Sequence, residues 1–238
     1  MNTEHFDVII VGAGLSGIGA ACHLARECPG KRVGILERRH AIGGTWDLFR
    51  YPGIRSDSDM GTYGYRFRPW NEPKILADGP SIRRYVADTA REYGIENKIQ
   101  FGLKITRLEW SSPQERWIVT ALDESTGETR IFRSRFLLSC TGYYNHDEGY
   151  CPQFPGADDF KGLCIHPQHW PEGLDYAART SSSSAAGPPL SHWCPRWPAT
   201  RRMSPCCSAR RATFSRYRAP TSSPGRCAAS CRQAGSTV

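Results

Sequence analysis

The feature that most constrains the fold is a short apolar run that ends in a glycine-rich turn close to the start of the chain. Residues 6–11, Phe-Asp-Val-Ile-Ile-Val, are rich in β-branched side chains, and Gly-Ala-Gly-Leu-Ser-Gly follows before a run of helix-compatible residues. In a strand–turn–helix unit of this kind, Gly12 allows the tight turn, Gly14 lets the backbone approach a pyrophosphate, and Gly17 lets helix and strand pack closely. The pattern therefore predicts a dinucleotide-binding turn whose phosphates lie on the amide groups at the helix N-terminus.

A second apolar run supplies the acidic residue that such a turn needs. Residues 33–37, Val-Gly-Ile-Leu-Glu, have strand character and end at Glu37, which lies 20 residues after Gly17. This is close to the spacing expected for a carboxylate that binds a ribose hydroxyl. A purely structural glycine turn would require neither the acid nor its spacing, so the nucleotide-binding interpretation is favoured.

The basic charge of the chain is confined to its C-terminal quarter. The formal net charge of the 238 residues is +8, but residues 180–238 hold nine arginines and no lysine or acid, whereas residues 1–179 hold 22 basic and 23 acidic residues. The near-neutral part does not indicate a nucleic-acid partner, and its five cysteines have no metal-ligand spacing. No run approaches the roughly 18 apolar residues of a membrane span, and no basic leader precedes the first strand, so we expect a cytoplasmic protein without a transmembrane segment.

A loop rich in glycine and aromatic residues follows the second strand. The turn Gly43-Gly44-Thr45-Trp46 could approach a flat ligand closely, although a surface turn anchored by Trp46 is an alternative. Residues 47–73 form a loop of a length that is usually functional or disordered. Its many aromatic side chains favour order.

A helix is predicted after this loop. Ser81 is expected to be its N-cap, and the helix is expected to run to about Tyr93 and to stop at Gly94. Its buried face is predicted from the spacing of Ile82, Tyr85, Val86 and Thr89.

Short alternating segments then predict an antiparallel β-meander. They cover residues 104–110, 117–122 and 129–132 and are separated by polar turns. Residues 135–142 predict a further buried strand that ends in the small-residue turn Thr141-Gly142. The expected fold is an α/β Rossmann-type domain with an inserted antiparallel meander.

Several of these stretches together resemble a known family. The glycine turn, Glu37, Gly43–Trp46, Arg50–Gly53 and Thr141-Gly142 resemble the flavin-containing monooxygenases, which use FAD and NADPH. Residues 160–170 fit Phe-x-Gly-x-x-x-His-x-x-x-Trp, the fingerprint of the Baeyer–Villiger type, at every fixed position. The resemblance covers the chain from its start to about Arg179 and is strongest to mycobacterial FAD-containing members.

The resemblance implies a set of cofactor-binding residues. Glu37 would bind the adenosine ribose, Thr45–Leu48 would lie along FAD, Asp57 would lie near the isoalloxazine, and the backbone of Ile105 would lie near the adenine. Arg55–Asp57 match a stretch that also meets NADP. The full set is Gly12, Gly14, Ser16, Gly17, Glu37, Gly44, Thr45, Trp46, Asp47, Leu48, Arg55, Ser56, Asp57 and Ile105.

The resemblance also implies the chemistry and its partners. NADPH would reduce the flavin, and reduced flavin with O₂ would form a C4a-peroxide that attacks a small ketone, or oxidises the sulfur of a thioether or thioamide or a nitrogen centre. Asp57 is a catalytic candidate because it resembles an aspartate that holds a downstream arginine. His166 is a second candidate, although its position between Ile165 and Pro167 is also typical of a structural histidine. The fingerprint is interpreted as a linker that couples two nucleotide domains.

The composition changes abruptly after Arg179. The segment 180–238 has no isoleucine, one leucine and one phenylalanine, and it is rich in serine, arginine, proline and alanine. Such a segment cannot bury enough apolar area to offset its chain entropy. We therefore expect an incomplete FAD-binding domain over 1–145, a linker with the fingerprint over 146–179, and a disordered tail over 180–238.

The genetic code offers an explanation for the tail. When the third base of each codon is joined to the first two bases of the next, Thr180–Ser183 give NTC triplets, which permit Val-Val-Val. The shifted frame then permits Ile-Gly-Ser-Gly-Ala-Thr-Ala, a strand end and a Gly-x-Gly-x-x-Ala turn of the kind that binds NADPH. We expect a frameshift near Arg179, in the gene or in its sequencing, which the DNA across codons 179 and 180 would reveal.

Other interpretations have less support from the sequence. The tail could be a basic arm for nucleic acid, but it has no lysine and no base-recognition motif. A zinc site from His192, Cys194, Cys206 and Cys207 fits no standard ligand spacing, and no Cys-x₄-Cys pair of a disulfide reductase follows the second strand. The chain is expected to be inactive as a monooxygenase, with a non-catalytic FAD-binding remnant as the alternative.

Overall fold

A mixed six-stranded sheet organises the part of the chain that this computed structural model describes, residues 3–152 and 157–174. Its strand order is β3-β2-β1-β6-β5-β4. The central strand β1 (Thr3–Val11) pairs in parallel with β2 (Val33–Leu36) on one side and with β6 (Thr129–Ser139) on the other.

The remaining strands lie at the two edges. Strand β3 (Ile99–Gln100) pairs in parallel with β2. Strands β4 (Leu103–Ser111) and β5 (Arg116–Asp123) pair antiparallel with each other, and β5 pairs antiparallel with β6. This arrangement confirms the predicted Rossmann-type α/β fold with a meander.

Four helices and several 3₁₀ turns connect these strands in the described residues. Helix α1 (Leu15–Glu27) follows β1, the short helices α2 (Thr45–Leu48) and α3 (Met60–Tyr63) interrupt the long loop, and α4 (Gly79–Glu92) follows it. None of the described helices is long and apolar enough to cross a membrane. The 3₁₀ turns are Glu96–Lys98, Ser112–Gln114, Ala157–Asp159 and Pro167–His169.

The two faces of the central strands are covered by different layers. On one face, Val8 and Ile10 pack with residues of α1 and α4 such as Ile18 and Ile82. On the other face, residues of β1 and β2 pack under the meander; this cluster contains Phe6, Ile9, Val11, Leu36, Leu103, Val119, Ala121 and Phe132. Burial on both sides explains why the first strand is an almost continuous apolar run.

Strand β6 differs from its prediction in two ways. Two strands were expected, at 129–132 and 135–142, but the chain is continuous from Thr129 to Ser139 because β1 pairs with it along this length. Strand β5 pairs with it only as far as Ser134. The second half is therefore not buried as expected: Phe136 is 65% exposed and Leu138 is 37% exposed.

Helix α4 confirms its predicted face but not its predicted cap. Ile82, Tyr85, Val86 and Thr89 are buried, and Gly94 lies just beyond the helix with φ of 63°. The N-cap is Asp78, however, whose carboxylate accepts the amide hydrogen of Ser81 at 2.9 Å. Ser81 lies in the first turn because Gly79 and Pro80 already begin the helix, and proline is well tolerated there.

The predictions for the tail lie outside the described residues. These are the out-of-frame segment 180–238 and the alternatives of a basic arm and of a zinc site. The predicted linker boundary at 179 lies outside them as well.

Candidate nucleotide-binding site

The turn between β1 and α1 requires glycine for steric reasons. Gly12 has φ of 105°, and a Cβ placed on it would lie 2.5 Å from the carbonyl oxygen of Cys140. A Cβ on Gly17 would lie 1.9 Å from the carbonyl oxygen of Gly12. Helix α1 is preceded by Gly14, which offers no capping side chain, and its first turn carries no acid. The N-terminal amide groups of α1 therefore form a place where a phosphate can bind.

The carboxylate of Glu37 is held directly against this turn. It is 4% exposed; its Oε2 accepts the amide hydrogen of Ala13 at 2.6 Å, and its Oε1 accepts that of Arg39 at 2.8 Å. The backbone of Glu37 is fixed as well, because its N–H donates to Gln100 and its carbonyl accepts from Leu103. A carboxylate fixed beside a phosphate-binding turn can orient a ribose hydroxyl.

The Gly43-Gly44 turn closes on the same place. Gly43 donates its amide hydrogen to the carbonyl of Ala13 at 3.1 Å, and a Cβ on Gly44 would lie 3.0 Å from the Cα of Gly14. Both residues have positive φ, 139° and 55°. Helix α2 (Thr45–Leu48) begins immediately after this contact, so the fold brings the predicted residues of both glycine turns together.

Asp47 lies at the centre of a cluster of three arginines, Arg39, Arg50 and Arg83, which we call the arginine cluster. Its side chain is 2% exposed; Oδ2 accepts from Nε of Arg39 at 2.7 Å, and Oδ1 accepts from Nη1 of Arg83 at 2.9 Å and from Nη2 of Arg50 at 3.3 Å. Burial alone would raise the pKa of Asp47, but hydrogen bonds from Arg39 and Arg83 and the charges of Arg39 and Arg50 outweigh it, so the pKa is lowered.

Residues Arg55–Asp57 lie in the loop between α2 and α3. Ser56 is buried and donates its amide hydrogen to the carbonyl of Ala77 at 2.9 Å. The backbones of Arg55 and Asp78 pair in an isolated antiparallel β-bridge. Asp57 is exposed. Its charge adds to the effect of burial on Tyr51, whose pKa is raised to about 12.

Ile105 is placed through the first residues of β4. The amide of Leu103 donates to the carbonyl of Glu37 at 3.0 Å, which fixes the start of β4 at the end of β2. Ile105 follows two residues later, partly buried against the core under the meander, and the register shifts between Ile105 and Arg107.

The segment that carries the fingerprint packs against the region around α2. His166 accepts the amide hydrogen of Gln168 on its Nδ1 at 3.2 Å and so caps the turn Pro167–His169. Gln168 is buried and donates to the carbonyl of Asn145 at 2.6 Å. Trp170 packs against an apolar cluster made of Leu48, Phe49, Tyr51 and Ile54. The contacts of His166 are those of a structural histidine, and its catalytic role stays a prediction.

Comparison with known proteins points to one family. A model of the NAD(P)-binding Rossmann-like domain matches residues 10–71. The putative FAD-containing monooxygenase MymA of Mycobacterium tuberculosis is 62% identical over 176 residues, and the FAD-containing monooxygenase EthA of Mycolicibacterium smegmatis is 57% identical over 177 residues. Over these residues, the chain is similar to the FAD-containing monooxygenases.

Solved structures agree with this family. A steroid monooxygenase bound to NADP is 29% identical with a TM-score of 0.64, and it is matched over 77% of this chain and 34% of its own. An open form of cyclohexanone monooxygenase is 27% identical with a TM-score of 0.67, matched over 77% and 35%. The matches to MymA and EthA cover 74% of this chain but 36% of each relative. The chain thus spans about a third of the length of the monooxygenases that it resembles.

The arginine cluster is the part of this candidate site that the sequence interpretation missed. Asp47 was expected along the cofactor, and its arginine partners were not expected to meet. Arg39 follows β2, Arg50 follows α2, and Arg83 lies on α4. Because their spacing follows no local period, the sequence carries no signal that brings them together.

Proposed function

We propose that the described part of the chain binds FAD as the first nucleotide-binding unit of a monooxygenase. The observation that supports this most directly is the buried carboxylate of Glu37, 2.6 Å from the amide nitrogen of Ala13 in the glycine turn. The residues present fit the cofactor, because a side chain at Gly12 or Gly17 would collide with backbone atoms and force the turn out of its tight shape. The glycine turn would bind the pyrophosphate, and Glu37 would orient the adenosine ribose.

The charges around the turn favour FAD over NADP at this site. A 2′-phosphate beside the ribose would meet the carboxylate of Glu37, whereas NADP sites use an arginine there. Both nearby arginines are already engaged. Arg38 pairs with Glu124 at 2.9 Å and with Asp147 at 2.7 Å, and Arg39 pairs with Asp47 at 2.7 Å. The adenosine ribose of FAD carries no such phosphate.

We infer that the complete monooxygenase is of the Baeyer–Villiger type, because residues 160–170 carry that fingerprint. When bound, FAD accepts a hydride from NADPH and activates O₂. The substrate would be a small ketone or the sulfur of a thioether or thioamide. The protein contributes binding at Gly12–Gly17 and Glu37 and orientation at Thr45–Leu48. Arg55–Asp57 would lie toward the reacting end of the flavin, where Asp57 would hold an arginine from a later segment.

For the 238-residue polypeptide itself, we propose FAD binding without oxidation of NADPH. The sequence of residues 180–238 contains no Gly-x-Gly-x-x-Gly or Gly-x-Gly-x-x-Ala motif for a second dinucleotide. Its role would then be that of a non-catalytic FAD-binding remnant.

Titration of the purified chain with FAD tests this proposal. We expect a yellow complex with one FAD per chain and no consumption of NADPH. Glu37→Gln should weaken FAD binding about tenfold or more, because a buried charge-assisted hydrogen bond is lost. Glu109→Gln is the control, since Glu109 pairs with Arg107 on the surface of the meander. Absence of FAD binding, or NADPH-dependent formation of an oxygenated product, would contradict the proposal.

A further inference from the structure

A continuous series of polar contacts leads from the fingerprint segment to the glycine turn. Glu172 pairs with Nη1 of Arg50 at 2.9 Å, and Nη2 of the same guanidinium pairs with Asp47 at 3.3 Å. Asp47 pairs with Nε of Arg39 at 2.7 Å. The amide of Arg39 donates to Glu37 at 2.8 Å, and the other oxygen of Glu37 accepts from Ala13 at 2.6 Å.

These contacts join segments that are distant in sequence. Glu172 follows the fingerprint, Arg50 and Asp47 belong to the region of α2, and Arg39 and Glu37 follow β2. Arg50 is the connecting group, because one guanidinium presents several donors in a fixed plane and can bind two carboxylates at once. A lysine has one charged centre and could not replace this geometry.

The carboxylate of Asp47 is fully used within the protein. It is 2% exposed, and both of its oxygens accept hydrogen bonds from guanidinium groups. A buried carboxylate persists only when it is paired in this way. Asp47 therefore acts on the cofactor site through Arg39 rather than by touching a ligand with its side chain.

An apolar contact runs parallel to the ionic one. Trp170 of the fingerprint packs against the cluster of Leu48, Phe49, Tyr51 and Ile54, which continues directly from Asp47. The fingerprint segment thus meets α2 through both a tryptophan and an ion pair. Any shift of α2 changes both contacts and the position of Arg39.

We propose that Asp47 is a positioning residue that couples the docking of the fingerprint segment (residues 157–174) to FAD binding. The inference rests on the proposed FAD site. Docking of the segment fixes the guanidinium of Arg50, which binds Oδ1 of Asp47. The guanidinium of Arg39 binds Oδ2 of Asp47, and the backbone amide of Arg39 holds the carboxylate of Glu37. Because coupling between two binding events is reciprocal, FAD must stabilise the docked segment by the same factor by which docking improves FAD affinity.

Amide hydrogen exchange of the full 238-residue chain, with and without FAD, tests the coupling. We expect FAD to slow exchange in residues 166–172 of the native sequence. Glu172→Gln should weaken FAD binding about two- to threefold, as expected for a largely exposed ion pair, and should reduce the FAD-dependent protection by the same factor. Asp47→Asn should abolish that protection, while Asp88→Asn, which removes a surface pair with Arg91, should leave it intact.

A double-mutant cycle separates a coupled path from independent contacts. Arg50 is 49% exposed, so Arg50→Met should fold even if Asp47→Asn does not. In the Arg50→Met background, Glu172→Gln should have no further effect on FAD affinity, because the ion pair that connects Glu172 to Asp47 through Arg50 is gone. Additive effects would overturn the inference.

The outcomes for the native sequence are also distinct. FAD binding that leaves exchange in residues 157–174 unchanged would overturn the coupling and leave the FAD site standing. Failure to bind FAD at all would overturn the proposed function and this inference with it.

Discussion

At the scale of single residues, Gly17 carries the strictest steric requirement in the glycine turn. A Cβ there would lie 1.9 Å from the carbonyl oxygen of Gly12, whereas a Cβ on Gly30 would meet nothing within 4 Å. We expect Gly17→Ala to destabilise the protein by about 1 to 3 kcal/mol, the range for overpacking, and to abolish FAD binding because helix and turn must separate. Gly30→Ala is the control and should change stability by less than about 0.5 kcal/mol. Urea unfolding measures the stability of both variants, and equal stabilities of Gly17→Ala and Gly30→Ala would contradict the prediction.

What the sequence could predict at this scale depends on sequence distance. The glycine turn lies within six consecutive residues, and Glu37 follows at a spacing that the βαβ unit itself imposes. The environment of Asp47 could not be predicted, because Arg83 lies 36 residues away and reaches Asp47 only through the packing of α4 on α2. A resemblance to relatives placed Asp47 near the cofactor but could not supply the partners of its carboxylate.

At the scale of elements, the N-terminus of α4 gives a prediction that depends on pH. Partial burial by itself raises the pKa of Asp78, but hydrogen bonds from Ser81 and from Lys74 outweigh it and hold the pKa at about 2. Because the folded pKa lies below the ordinary aspartate value of 3.8, the stabilisation is present above about pH 4 and is lost as the pH falls toward about 2. Asp78→Ala should therefore cost about 1 kcal/mol at neutral pH.

Urea unfolding over a range of pH checks this prediction. The difference in free energy of unfolding between the native chain and Asp78→Ala should narrow from about pH 4 downward. Ser81→Ala is the comparison, since a side-chain hydroxyl in the first turn should contribute less than the cap itself. A larger loss of stability for Ser81→Ala than for Asp78→Ala would identify Ser81 as the capping residue.

Strand β6 gives a second prediction at this scale. Phe132 is fully buried under the meander, whereas Phe136, four residues later in the same strand, is 65% exposed. Phe132→Ala should cost about 3 to 5 kcal/mol, and Phe136→Ala should change stability by less than about 0.5 kcal/mol. The two substitutions are matched in chemistry and in secondary structure. The difference between their free energies of unfolding, measured with denaturant, therefore reports the burial of the ring. A large loss for Phe136→Ala would show that its ring is covered in solution.

The same strand shows where element prediction from sequence stops. Alternation and turn residues located all three strands of the meander, because those signals are local. The two predicted strands left residues 133 and 134 outside, but parallel pairing with β1 carries one strand through Arg133 and Ser134. The apolar residues of its second half suggested burial, which depends on neighbouring elements that a strand pattern cannot reveal.

At the scale of the whole molecule, the described fold presents an apolar surface at Phe136 and Leu138, beyond the last residue that β5 pairs. Buried apolar clusters, in contrast, lie on both faces of β1, under α1 and α4 on one face and under the meander on the other. The proposed nucleotide site, between the ends of β1 and β2 and the start of α2, rests on these clusters. Under that proposal, FAD would bind to residues that the fold already positions.

The discriminating measurement for the whole molecule is a thermal shift with FAD and with NADP⁺. A ligand at a hundred times its Kd stabilises the native state by about 2.7 kcal/mol, which corresponds to a rise in Tm of about 5 to 10 °C for a protein of this size. We expect this rise with FAD and none with NADP⁺, because Glu37 opposes a 2′-phosphate and Arg38 and Arg39 are paired elsewhere. Gly17→Ala serves as the control and should show no rise with either ligand. A rise with NADP⁺ in the native sequence would contradict the assignment of the glycine turn to FAD, even if FAD also binds.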